Sequence, residues 1–156
     1  MLFGDSTVAN YYNIADSATH GWGQVLSKYI DSDKYDVRNM SASGWKTDDF
    51  LRNHDFMDAA LKYGDSDDIC VISLGINDYT AALDKSTGKA NNATYVANLK
   101  TMVSEFKATG MKVYLVKQPW SSEDLKKYPI PDKIKLSELS SYDLLVREDN
   151  SNPRKL

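Results

Sequence analysis

The stretch Ile69-Cys-Val-Ile-Ser-Leu74 constrains the fold more than any other part of the chain. It is a continuous apolar run of strand length, and such a run belongs to a strand covered on both faces rather than one with a wet side. It stops at once in Gly75-Ile-Asn77-Asp78, a turn-forming sequence. Two other runs end in the same manner. Leu2-Phe3 leads into Gly4-Asp5-Ser6-Thr7, and the short strand candidate Tyr35 to Arg38 leads into Asn39-Met-Ser-Ala-Ser-Gly44.

Helical patterns separate these runs. Trp22, Val25, Leu26, Tyr29 and Ile30 recur at helical spacing, which predicts an amphipathic helix with its stripe on a core and a stop at Asp31-Ser-Asp33. Thr47, followed by Asp48 and Asp49, predicts a capped helix carrying Phe50, Leu51, Met57, Ala60 and Leu61 and ending at Gly64. Thr94 opens a third helix, with Val96, Leu99, Met102, Val103 and Phe106 on one face and Gly110 as its stop. Val113 to Val116 is a further strand candidate, ended by Gln118-Pro119-Trp120. Val8 to Thr19 and Asp84 to Asn92 are expected to be loops. Strands alternating with helices predict an α/β fold, a parallel sheet with helices on both faces.

The length of 156 residues and a hydrophobic content of 42% fit one domain spanning residues 1–156. A chain of this size buries roughly 68–70% of its unfolded surface, enough for a core without staples. Its end differs in character: 121–156 carries Pro129, Pro131, Pro153 and many charges, with strand-like pieces only at Ile134 to Leu136 and Tyr142 to Val146. It reads as irregular or as a remnant. The formal charge of −3 comes from interspersed acids and lysines, so the basic stripe of a nucleic-acid binder is missing. No apolar run approaches the roughly 18 residues that cross a bilayer, which excludes a membrane-spanning helix. The single cysteine, Cys70, has no partner for an internal disulfide and sits in an apolar run, where it is expected to be a core residue.

The first strand candidate starts only three residues before its turn, whereas strands usually run about five or six. Trimming of preceding residues is therefore expected, and a lost export signal leaves a secreted or periplasmic destination open. The oligomeric state is not legible.

A parallel sheet gathers the loops that follow its strands at one edge, where open α/β sheets hold ligands. That edge would carry Ser6, Gly44 and Asn77. A serine hydroxyl can attack an acyl carbonyl, and backbone N–H groups at Ser6 and Gly44 with the Asn77 side-chain amide can stabilise the oxyanion that forms. Trp45 and Trp120, each beside such a loop, are candidates to line a substrate cleft with aromatic faces. Asn39-Met-Ser41 and Asn92-Ala-Thr94 also match the N-glycosylation pattern.

Gly4-Asp5-Ser6-Thr7, then Asn39 to Gly44, then Gly75-Ile-Asn77-Asp78 resemble the first three blocks of the SGNH (GDSL-type) hydrolases, in order and at compatible spacing. The resemblance covers about residues 1–120. Gly21-Trp22-Gly23, and Thr7 where leucine is commoner, resemble the rhamnogalacturonan acetylesterase branch. The resemblance implies a flavodoxin-like three-layer α/β/α sandwich and hydrolysis of a small acyl ester, acetyl on a carbohydrate, through an acyl-serine at Ser6. It also implies no metal or other cofactor and an oxyanion hole from Ser6, Gly44 and Asn77, with Asp5 and Asp78 supporting their turns.

One block departs from that family. Its last motif is Asp-x-x-His, with the histidine as general base; this chain has Asp149-Asn150-Ser151-Asn152, with asparagine in the histidine position. Asp149 is carried as a tentative match. His20 precedes the Gly-Trp-Gly turn and His54 lies in a predicted helix, so neither is expected to replace the base. A truncated or degenerate domain without turnover, at most a carbohydrate-binding or structural module, is the competing expectation, and a flavodoxin-like or response-regulator-like binding domain is a third.

Overall fold

A computed structural model describes residues 1–11 and 21–116 and, as backbone only, 143–145. Four parallel strands form the main sheet: β1 (Leu2–Gly4), β2 (Ile69–Ser73), β5 (Lys112–Val116) and β6 (Asp143–Leu145), in the order β1-β2-β5-β6. A further segment runs along the free side of β1. Leu2 N donates to Arg38 O at 2.8 Å, Met40 N to Leu2 O at 2.9 Å and Ala42 N to Gly4 O at 3.0 Å, around a parallel bridge between Leu2 and Asn39. With this segment counted, the chain's second strand position lies beside its first and the later ones extend on the other side. That is the flavodoxin-like order, whose reversal of direction falls at β1.

The expected strand at Tyr35 to Arg38 is thus displaced. The pairing runs from Arg38 to Ala42, because the small residues after Asn39 lie flat against β1, while Tyr35 is exposed. Register sets the faces of the sheet. Phe3, Ile72 and Leu115 align across three strands, all buried, and Cys70 aligns with Val113. The opposite face carries Leu2, Val71 and Tyr114, of which Val71 and Tyr114 are half-buried.

Three helices cover the deeper face: α2 (Thr47–Arg52), α3 (His54–Tyr63) and α5 (Ala93–Ala108). On α5, Leu99, Met102, Val103 and Phe106 are buried, as their spacing predicts, and Gly110 follows the helix with φ +98°. Met57 and Ala60 of α3 and Phe50 of α2 join the same cluster. Its centre is aromatic: Phe3 lies 4.8 Å from Phe106 and 5.4 Å, edge-on, from Phe50.

The single helix expected from Thr47 to Gly64 is two helices. Asn53 breaks the run with an extended backbone, its side-chain Oδ1 accepting from Asp55 N at 3.1 Å to cap α3. Thr47 does not act as the cap of α2. That position is Lys46, and the Asp49 carboxylate accepts from the Lys46 N–H and ammonium, each at 2.8 Å.

The helix expected from Trp22 to Ile30 is shorter, an α-turn α1 (Trp22–Val25) followed by a 3-10 turn at Leu26–Lys28. Tyr29, placed on its core stripe by spacing alone, is 80% exposed. What docks this segment is backbone and amide chemistry: Trp22 N donates to Thr7 O at 2.8 Å, and the Gln24 side chain bonds both the N–H and the carbonyl of Tyr11.

Two elements were not expected. The short helix α4 (Ile76–Ala82) starts directly after Gly75, and the loop from Asp84 holds the antiparallel pair β3 (Leu83–Asp84) and β4 (Lys89–Ala90). The expected strand at Tyr142 to Val146 contains β6; the piece Ile134 to Leu136 and most of the Val8 to Thr19 loop lie outside the described residues. Among the described residues no helix is long and apolar enough to cross a membrane.

Phe106 touches β1 through Phe3 from the helix layer, so truncation there tests the core directly. Phe106→Ala is expected to destabilise the protein by about 3–5 kcal/mol, the usual cost of emptying a buried aromatic site, read as a lower urea midpoint at unchanged slope.

Candidate active site

The serine turn follows β1 without a spacer. Val8 N and Ala9 N both donate to Asp5 O at 3.0 Å, which curls residues 5–9 into one tight turn. Asp5 is fully buried, and its carboxylate accepts from Thr7 N and the Thr7 hydroxyl, each at 2.9 Å. This is the turn-supporting role expected of it. Tyr11 returns over the turn and donates its hydroxyl to Ser6 O at 2.8 Å. Ser6 itself is half-buried at the carboxyl end of the strand, and among the described residues no hydrogen bond reaches its hydroxyl.

Asn39 ties this turn to the neighbouring segment, its amide donating to Val8 O and to Asn10 Oδ1, both at 2.8 Å. The glycosylation reading of Asn39 therefore fails, since the nitrogen that would carry a glycan is engaged beneath a loop.

Gly44 follows the 38–42 segment with φ +79°, a backbone conformation that favours glycine. It is exposed, and a Cβ built on it would have no neighbour within 4 Å. Neither its N–H nor that of Ser6 bonds to another described residue. Gly75 after β2 has φ +140°, and a Cβ there would lie 3.0 Å from the Tyr95 hydroxyl, which donates to Leu74 O at 3.0 Å. This sharp turn leaves Asn77 and Asp78 in the first turn of α4.

The two loops are bonded to each other. Asn77 Nδ2 donates to Trp45 O at 3.0 Å. Asp78 receives Thr47 N at 3.1 and 3.2 Å and the Thr47 hydroxyl at 2.5 Å, and Asn98 of α5 donates to that hydroxyl at 3.1 Å. Asp78 thus accepts the first N–H of α2, beside the Lys46–Asp49 cap, and takes the Thr47 hydroxyl that the sequence assigns to capping. Burial pushes its carboxyl above the usual range, outweighing the Thr47 hydrogen bonds that favour the charged form.

Trp45 is half-buried. Its ring packs 4.8 Å from Phe50 and 5.4 Å from Phe56, continuing the aromatic chain from the core. With Asp49, Arg52, Asn53, His54 and Asp55 it also borders a shallow depression of about 420 Å³. His54 is exposed, with Nδ1 3.6 Å from Asp58 on its own helix. His20, Trp120 and Asp149 lie outside the described residues.

The structure therefore carries Ser6 and Gly44 on loops and Asn77 in the first turn of α4, all following adjacent parallel strands at their carboxyl edge, and bonds the Gly44 loop to the start of α4. Asn98, Tyr95 and Tyr11 are supports that sequence reasoning did not single out, and Thr47 is one it reads only as a helix cap. Their signals are ordinary, a threonine near a helix start or a tyrosine in a polar stretch, and only the bonds distinguish them.

A parallel sheet with the flavodoxin-like strand order and a serine turn where that order reverses defines an α/β domain whose functional edge lies at the carboxyl ends of its strands. Residues 2–138 match the GDSL-like Lipase/Acylhydrolase family, and the chain belongs to that family. It is 38% identical over 112 residues to a Bacillus subtilis (strain 168) protein described as "Uncharacterized esterase YxiM", covering 72% of this chain and 28% of that protein. The crystal structure of Bacillus subtilis YxiM superposes with a TM-score of 0.71 at 31% identity, over 93% of this chain and 42% of the other. The psychrotrophic esterase EstA from Pseudoalteromonas sp. shares the fold, with a TM-score of 0.59 at 22% identity over 92% of this chain and 74% of EstA. The chain spans less than half the length of the YxiM protein it matches. The expected three-layer SGNH-type α/β fold is thereby established; the match to the acetylesterase branch is a finer question.

Two outcomes follow from these loops. Gly75→Ala forces a side chain into a left-handed backbone and onto Tyr95, and is expected to cost about 1–3 kcal/mol in chemical denaturation. Because the folded pKa of Asp78 is raised, the folded state holds a proton that the unfolded state has lost, between the ordinary carboxylate value and the raised one. Wild type should therefore gain stability relative to Asp78→Asn as pH falls from about 7 towards about 4; paired urea titrations at the two pH values read the sign, and a relative loss would contradict it.

Proposed function

We propose that this chain is a serine ester hydrolase acting on small acyl esters. The single observation that carries the reading is the bonding of the Gly44 and Asn77 loops to each other beside the turn that presents Ser6. Family membership supports the same chemistry.

In acylation the Ser6 oxygen bonds to the ester carbonyl carbon while its proton passes to a base. The carbonyl π electrons move onto oxygen, which the Ser6 and Gly44 N–H groups and the Asn77 amide would receive. Collapse of that intermediate expels the alcohol, which takes up the proton, and water repeats the sequence to release the acid. Acetyl is the acyl group we propose and a carbohydrate the alcohol. The branch resemblance at Thr7 and Gly21-Trp22-Gly23 supports this, as does the position of Trp45 next to the open Gly44. Trp120 is proposed for the same cleft.

The second reading, binding without turnover, rests on Asn152 standing where the family motif has its histidine. An amide does not accept a proton near neutral pH, so Asp149 would have nothing to orient. Hydrolysis of p-nitrophenyl acetate separates the readings. The first expects Ser6→Ala to lose at least about 10³-fold in turnover, and equal rates for wild type and Ser6→Ala would overturn it. The second expects wild type to sit at the background rate and Asn152→His to raise it by about 10²-fold or more.

A further inference from the structure

The segment 38–42 and β2 lie on opposite sides of β1. Neighbouring strands are about 4.8 Å apart, so these two are separated by about 10 Å at the level of the sheet. Oxyanion donors carried by their following loops have to converge on one atom above the end of β1. Within the Gly44 loop, Trp45 N donates to Ala42 O at 3.2 Å and the Trp45 ring packs on Phe50 and Phe56, but Gly44 itself is exposed, touches nothing through the position of a side chain, and has the conformational freedom of glycine.

A further hold, one that sets it against the Asn77 donor, comes from across β1. Consecutive residues of the β2 loop grip the Gly44 loop at two points: Asn77 Nδ2 holds Trp45 O, and the Asp78 carboxylate holds the Thr47 N–H and hydroxyl. The strand side of Gly44 is pinned independently by Ala42 N on Gly4 O. Gly44 is therefore suspended between anchors on both sides. The same contacts act on Asn77, whose amide has two N–H groups: donating one to Trp45 O fixes the plane and direction of the other. Asn98, reaching from α5 to the Thr47 hydroxyl, ties the bridge to the helix layer. Because that hydroxyl donates to Asp78 while accepting from Asn98, it is the one atom through which both supports pass.

We propose that Asp78, Thr47 and Asn98 form a positioning clamp that closes over the end of β1 and sets the relative placement of the Gly44 and Asn77 donors. The inference rests on the esterase reading for its catalytic consequence, and on the hydrogen bonds alone for its structural one. Thr47 is a positioning residue and touches no substrate. Its contribution is preorganisation: with the clamp intact the donors need no rearrangement as charge develops, and with it loosened they must be gathered at each turnover. A misplacement of about 1 Å can cost on the order of 10² in rate.

The test compares Thr47→Val, which keeps shape and removes the hydroxyl, with Thr47→Ser, which keeps the hydroxyl, and with Asn98→Ala, which removes only the outer brace. Turnover of p-nitrophenyl acetate should fall about 10–100-fold in Thr47→Val with KM nearly unchanged, because the loss is confined to the transition state. Thr47→Ser should recover most of that loss, and Asn98→Ala should fall by less than Thr47→Val. A folded Thr47→Val with wild-type kcat overturns the proposal, as does a loss appearing only in KM or in thermal stability. If Thr47→Val does not fold, Asn98→Ala against wild type decides by the same split.

A readout independent of turnover is the Asn77 side-chain amide pair in a ¹H–¹⁵N spectrum, assigned by its disappearance in Asn77→Ala. The clamp requires that pair to shift in Thr47→Val and to return towards its wild-type position in Thr47→Ser. An unmoved pair overturns the clamp even in an active enzyme. A wild type without Ser6-dependent hydrolysis removes the esterase reading, while the amide shifts still decide the clamp.

Discussion

Every feature of the candidate site depends on the pairing of β1, a strand of three residues, on both of its sides. Backbone bonds to the 38–42 segment and to β2 hold it between two neighbours. So short a strand has little intrinsic preference for its conformation, and its order comes from its neighbours. That dependence has a geometric result. The connection after β1 runs to the 38–42 segment on one side, whereas the one after β2 runs to the other side of the sheet, so the loops diverge there and leave a crevice at the carboxyl edge. The serine turn occupies that crevice because no residues intervene between Gly4 and the turn.

The parts of this arrangement that were readable beforehand are those fixed by local chemistry or by a repeating pattern. Ile69 to Leu74 reads as a buried strand because an unbroken apolar run has no other economical use, and α5 because four of its apolar residues share a face. The failures share a cause. The stripe from Trp22 to Ile30 has the right period, but its segment is held by a backbone bond to Thr7 and by Gln24 on Tyr11, so Tyr29 points to solvent. Periodicity reports which residues can share a face, not whether a core lies behind it. The helix from Thr47 was read through Asn53 because the apolar residues on either side continue one pattern; the Asn53 cap is a local event that leaves the pattern intact.

Thr47 shows the same limit at the site. A threonine followed by two acids is a strong local sign of a cap, and the helix does start there. Yet the hydroxyl is recruited by Asp78, thirty-one positions away at the start of α4, so a distant acid joins Asp49 in supporting the start of α2. Positions such as Ser6, Gly44 and Asn77 could be located because turn chemistry after a strand marks them. The residues that hold them in place are distant in sequence and common in kind, so nothing local identifies them.

Cys70 gives the core a use beyond packing. Its thiol is fully buried between the sheet and its helices, and burial pushes its pKa up to about 12. Thiolate, the form that reacts with alkylating and disulfide reagents, is therefore almost absent while β2 stays covered. The only cysteine of the chain becomes an intrinsic clock for opening of the central strand: the rate at which it is modified reports how often the sheet and helices part, without any added label.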